Sequence, residues 1–200
     1  MSRTITRLFD NYSDASNAVR DLEAIGIPHA DLSIVANNSD KQHGEHDEGV
    51  NDEGDVTRGV SAGAVLGGGA GLLAGLGLLA IPGLGPIVAA GWLAATAAGA
   101  GIGAVGGAAT GGIVGALKNA GHSEEDAHVY SEGVRRGGTL VSAKVADNRA
   151  DEAEAVLQRY GSVDAQTRGQ AYRQSGWSRF DDTAPAYSAD EVEQERSLYR

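Results

Sequence analysis

Residues 59–117 read GVSAGAVLGGGAGLLAGLGLLAIPGLGPIVAAGWLAATAAGAGIGAVGGAATGGIVGAL, 59 consecutive positions without Asp, Glu, Lys, Arg or His. They hold 19 of the chain's 30 Gly and 16 Ala. Gly59, Gly63, Gly67, Gly71 and Gly75 recur every fourth residue, and so do Gly99, Gly103, Gly107, Gly111 and Gly115. Between the runs lies Pro82-Gly83-Leu84-Gly85-Pro86, a strong helix-breaking turn. The pattern predicts an antiparallel helical hairpin within 58–118: helix over 59–80, turn, helix over 87–117. A four-residue glycine spacing leaves a smooth groove along each helix, so two backbones approach closely. The ten glycines are the predicted packing and self-association positions, with Gly67 and Gly107 central.

Such helices are poor on their own, because each Gly costs roughly 1 kcal/mol relative to Ala in a helix. Close packing has to offset that. A helix of 22 residues would span about 33 Å, enough for a hydrocarbon core of roughly 30 Å. Arg58 and Lys118 flank the block on one side, the turn is uncharged, and Trp92 suits an interface. These features predict a hairpin in or on a membrane, with lipid as a partner beside further copies of the chain. The alternative is a soluble homo-oligomer, a ring, filament or shell, whose hairpins exclude water by packing on one another.

Outside the block the chain is amphipathic. Residues 4–10 suit a strand, Ser13 an N-cap, and Ala15, Ala18, Val19, Leu22 and Ile25 a helix ended by Gly26. Residues 31–37 read as a second strand, closing a β-α-β half over 1–37. Residues 38–57 carry seven acids and one Lys and read as a disordered linker.

Beyond Lys118, Ser123-Glu-Glu-Asp126 is a capping pattern for a helix with Ala127, Tyr130 and Val134 inward, ended by Gly137 and Gly138. Residues 139–146 alternate as a half-buried strand. Asn148 can cap a helix with Ala153, Val156, Leu157 and Tyr160 inward, and 162–167 form a weak last strand. Residues 119–167 thus supply a second half, and the expected class is α+β: a ferredoxin-like split β-α-β sandwich interrupted by the hairpin. Residues 168–200, with Trp177, Phe180, Tyr187 and Tyr199, are expected to be a mostly disordered tail with a short helix at 189–199.

The chemistry is sparse. The net charge of −11 argues against nucleic acid as a partner. Zero Cys removes thiolate metal sites, disulfides and a cysteine nucleophile. Gly101-Ile-Gly103-Ala-Val-Gly106 matches a dinucleotide fingerprint by composition, without the strand that should precede it. His43-Gly-Glu-His46 with Asp47 and Glu48 reads as solvated linker, not a metal site. No catalytic residue, cofactor or metal is expected. Met1–Asp10 has no apolar signal-like run, so the α+β domain is expected in the cytoplasm, associated with the inner membrane through the hairpin.

Several segments together carry a resemblance: Thr6 to Ala15, Ala18 to Leu22, Asp31 to Val35, Ile81 to Pro86, His122 to Ala127, and Tyr130 to Val141. Over about residues 4–165 the chain resembles the general-stress-protein, heat-induced YflT-like family. The resemblance implies a bacterial protein raised under stress, with no established catalytic residues.

Overall fold

The computed structural model describes residues 2–39, 77–81, 83–102 and 112–199. In chain order the elements are β1 (Ser2–Phe9), α1 (Tyr12–Ala24), β2 (Leu32–Asn37), β3 (Gly77–Ile81), β4 (Gly85–Gly91), α2 (Trp92–Ile102), α3 (Gly112–Asn119), α4 (Glu124–Arg135), β5 (Thr139–Ala146), α5 (Ala150–Arg159), α6 (Ala165–Gln174) and α7 (Ala189–Ser197). The five strands form one antiparallel sheet in the order β1-β5-β2-β4-β3.

Alternation along the strands divides the core in two. Ile5, Phe9, Leu32, Ile34, Val141, Ala143 and Val145 point to one face. There they meet Ala15, Ala18, Val19 and Leu22 of α1 and Ala153, Val156 and Leu157 of α5. The helical spacing read from the sequence is therefore the packing face. Leu8, Val35, Ile87, Ala89 and Leu140 point to the other face, under α2, α3, α4 and α6. Helices cover both faces because both sides of the central strands are apolar.

Several expectations are corrected. The predicted helices over 59–80 and 87–117 are strand at 77–81 and 85–91. The glycines from Gly59 to Gly75, with Arg58, lie outside the described residues. Pairing decides the difference: β4 bonds to β2 from Ser33↔Gly91 to Asn37↔Ile87, and β3 bonds to β4. That satisfies the outer edge of β2, which a glycine-rich helix with weak propensity would leave open. The turn falls where the sequence puts it, with Gly83 at φ +75° and Gly85 at φ +78°, and Leu84 N donating to Ile81 O at 3.0 Å. Among the described residues of the second predicted helix, 92–102 and 112–117 are helical as expected, within helices Trp92–Ile102 and Gly112–Asn119. Among the described residues, no helix is long and apolar enough to cross a membrane.

The tail is the second correction. Residues 165–199 hold α6 and α7, and Tyr172, Phe180 and Val192 are buried. Ser188 and Glu191 form a reciprocal capping box at the start of α7, near the helix expected at 189–199. The last strand over 162–167 shrinks to one bridge, Leu8↔Val163, because Asp164 caps α6 by accepting from Thr167 N at 2.7 Å. Two caps also move. α1 starts at Tyr12 after Asn11 rather than from Ser13, and a 3-10 turn at Asp147–Arg149 precedes α5 in place of an Asn148 cap. Ser123 does cap α4, accepting from Asp126 N at 3.0 Å.

Candidate functional site: the outer sheet edge and the clasp behind its turn

β3 is the last strand of the sheet, so one of its edges has no strand beside it among the described residues. Pro86 sets the phase of its ladder. Proline has no N–H, and the Pro86 carbonyl accepts from Asn38 N at 2.9 Å on the β2 side. The Ala80↔Pro86 pair is therefore a non-hydrogen-bonded one, and Leu79↔Ile87 is a bonded one. By alternation the N–H and C=O of Leu78 and Ala80 point outward from the sheet. The five residues of β3 carry no charge, and the Leu78 side chain is 54% exposed. Sheets ordinarily blunt such an edge with Lys, Pro or a bulge.

The turn that holds this strand is gripped from behind by residues 181–187. A Cβ on Gly83 would lie 2.7 Å from Asp182 Cα, and one on Gly85 2.8 Å from Ala186 Cβ. Arg135 anchors that segment, donating to Pro185 O at 3.1 Å and lying 5.0 Å over the Tyr187 ring.

Further along, α7 is clasped onto the end of α4. Val192, fully buried, fills the notch left by Gly137. Arg196 donates twice to Gly137 O, at 3.0 and 2.9 Å. Arg136 donates to Glu195 at 2.5 Å and to Glu132 at 2.7 Å, and it lies 4.3 Å over the Tyr172 ring. Glu132 is 1% exposed and also faces Arg135 at 3.5 Å. Arg168, 4% exposed, bonds both carboxylate oxygens of Asp10 at 2.7 and 2.9 Å and sits 3.9 Å over Tyr199.

Burial is the main pressure on the Arg136 guanidinium and opposes its charge, but the carboxylates of Glu132 and Glu195 outweigh it and push the pKa up. Burial pushes the Tyr172 phenol far up, so it stays neutral. The void among Leu8, Asp10, Arg136, Arg168 and Tyr172 is about 10 Å³, room for a single water. The cluster is a filled clasp rather than a ligand pocket.

A second polar cluster lies under the α3–α4 connection. Thr6 Oγ1 is 2.7 Å from His122 Nε2 and 2.9 Å from Ser142 Oγ. Tyr130 OH donates to Thr6 O at 2.7 Å and accepts from Ala165 N at 3.2 Å. Burial pushes the Tyr130 phenol up to about 12. Thr6 and Ser142 are buried mid-sheet, so the chain of hydroxyls and imidazole serves to pin His122 to the sheet.

Burial lowers the His122 pKa from 6.5; Asp126 pulls it up and Arg7 pushes it further down. The unfolded imidazole then binds a proton more readily than the folded one. Stability is intact above about pH 6.5 and is lost as pH falls from there toward the folded pKa. The urea midpoint is expected to drop between pH 7 and pH 5. His122→Gln should flatten part of that drop, the remainder coming from His128, whose pKa burial also lowers. An unchanged slope in the variant would refute this role.

The positions predicted from sequence are scattered over this architecture. Gly83 and Gly85 shape the turn, and Pro86 is exposed in β4. Pro82, Gly103, Gly107 and Gly111 lie outside the described residues, as do His43 and His46. Gly99 is in α2 and Gly115 in α3. Lys118 bonds Glu124 at 2.8 Å, and Trp92 opens α2 beneath the Lys144 ammonium, 4.0 Å away. Among the described residues no group of three or more His, Asp or Glu is arranged to hold a metal. The clasp of Asp10, Glu132, Arg136, Arg168 and Glu195 was not anticipated. Its legible signals were the Ser188-x-x-Glu191 cap and the Arg135-Arg136-Gly137-Gly138 run. No protein-family model, curated protein or solved structure matches this chain.

Proposed function

We propose that the protein is a non-enzymatic, self-associating bacterial stress protein. Its glycine-rich segments bring copies together on or in the inner membrane, with the α+β body on the cytoplasmic side. The observation that carries self-association is the uncharged outer edge of β3, which follows in sequence the glycine run that ends at Gly75. The stress assignment rests on the family resemblance of residues 4–165. Supporting a split β-α-β scaffold is the order Val163, β1, β5, β2, with α1 and α5 together on one face.

The second reading, a soluble homo-oligomer, is favoured by the replacement of the predicted helix by strand at 77–81 and 85–91. Fractionation separates the two. The comparison is between the full chain and a version with residues 40–76 replaced by a short Gly/Ser linker, which keeps every described strand. Full-length protein that survives a carbonate wash and leaves membranes only with detergent, while the linker version stays in the supernatant, supports the membrane reading. Full-length protein in the supernatant as a large particle supports the soluble assembly. A monodisperse monomer overturns both.

A further inference from the structure

We propose that two copies of the chain join through β3, edge to edge and antiparallel, about a two-fold axis at Leu79. The inference rests on the self-association reading above and names the surface and the partner.

The backbone geometry is self-complementary. With outward groups at Leu78 and Ala80 alone, an antiparallel partner has one register that uses all of them: Leu78 opposite the second copy's Ala80, and Ala80 opposite its Leu78. Each of those pairs exchanges two N–H···O bonds, four in all. Leu79 then faces Leu79 across the axis in a non-hydrogen-bonded pair. The result is one sheet continuous through both molecules.

A second copy is the partner whose own Leu78 and Ala80 match this register, and charge permits it. The chain carries −11, yet β3 has no charged residue, so self-pairing here brings no like charges together at the seam. The strand is also held ready, because Gly83 and Gly85 are packed against Asp182 and Ala186. Little ordering remains to be done on association.

The natural absence of Cys makes the test clean. Single Leu79→Cys, Leu78→Cys and Ala80→Cys variants of the full chain would be oxidised and run without reductant, beside sedimentation of the unmodified protein. A non-hydrogen-bonded pair places its Cα atoms about 4.5 Å apart, within disulfide reach. L79C is therefore expected to form covalent dimer as the main product. L78C alone, with its Cα atoms about 8–9 Å apart in this register, should give roughly tenfold less. Mixing L78C with A80C should restore the cross-link.

Ala80→Pro removes an outward N–H and no β3–β4 bond, so it should leave the circular dichroism intact and lower dimer content at least tenfold. If the protein assembles but L79C does not cross-link and A80P assembles normally, this seam is wrong while self-association stands. If L78C cross-links better than L79C, the register is wrong. If the unmodified chain sediments as a monomer at tens of micromolar, both readings fall.

Discussion

Gly91→Ala is expected to lower the unfolding free energy by about 3–5 kcal/mol, read as a shift of the urea midpoint. Two costs combine. Gly91 has φ +89°, a conformation that an L side chain adopts at a cost of about 1–2 kcal/mol. A Cβ there would also lie 2.1 Å from Leu32 O and 2.8 Å from Ser33 Cα, both backbone atoms that cannot swing aside. Relief requires β4 to move off β2, which opens the ladder between Ser33 and Asn37. Gly121→Ala is the control. Gly121 has φ +97° but no atom within 4 Å of its Cβ position, so it should show the conformational cost alone, about 1 kcal/mol. Equal effects at the two sites would show that close approach to β2 contributes nothing.

Gly91 also marks where sequence reading reached its limit. In residues 59–117 glycine is so frequent that its period dominates, and a four-residue period reads as helix. The residues that decide for strand are few: Pro86 followed by Ile87 and Val88, which lie over a β2 edge that needs partners. That need is a tertiary fact, invisible in the local pattern. The amphipathic elements were legible for the opposite reason. Ala18, Val19 and Leu22, or Ala153, Val156 and Leu157, bury a single face against one sheet, so spacing alone identifies them.

The C-terminal segment escaped because its packing is not periodic. Tyr172, Phe180 and Val192 are single anchors spread over 21 positions, and ion pairs supply much of the rest. The candidate edge was legible only in its lack of charge. Its outward N–H groups depend on the β3–β4 register and on which side Pro86 faces.

The clasp yields the other large effect. Glu132→Ala is expected to cost about 3–5 kcal/mol, because it leaves guanidinium charge without its buried carboxylate. Arg136 would keep Glu195 and the Tyr172 ring, and Arg135 would keep the Pro185 carbonyl and the Tyr187 ring. The loss should therefore be felt along residues 181–199 as well as globally. Limited proteolysis should cut between α6 and α7 at least tenfold faster in the variant than in the natural chain.

Pairing Glu132→Leu with Arg136→Met separates charge from packing. It removes both buried charges while keeping apolar volume, and it should recover much of the stability lost by Glu132→Ala alone. Recovery of stability without recovery of protease resistance would show that the Arg136–Glu195 contact, rather than the burial of Glu132, holds α7 in place. Failure of the double variant to recover either would show that the carboxylate is needed for its bond to Arg135, which the double variant leaves without it. Because residues 181–187, which Arg135 anchors beside Glu132, grip the turn between β3 and β4, either loosened variant should also weaken any assembly that runs through the β3 edge.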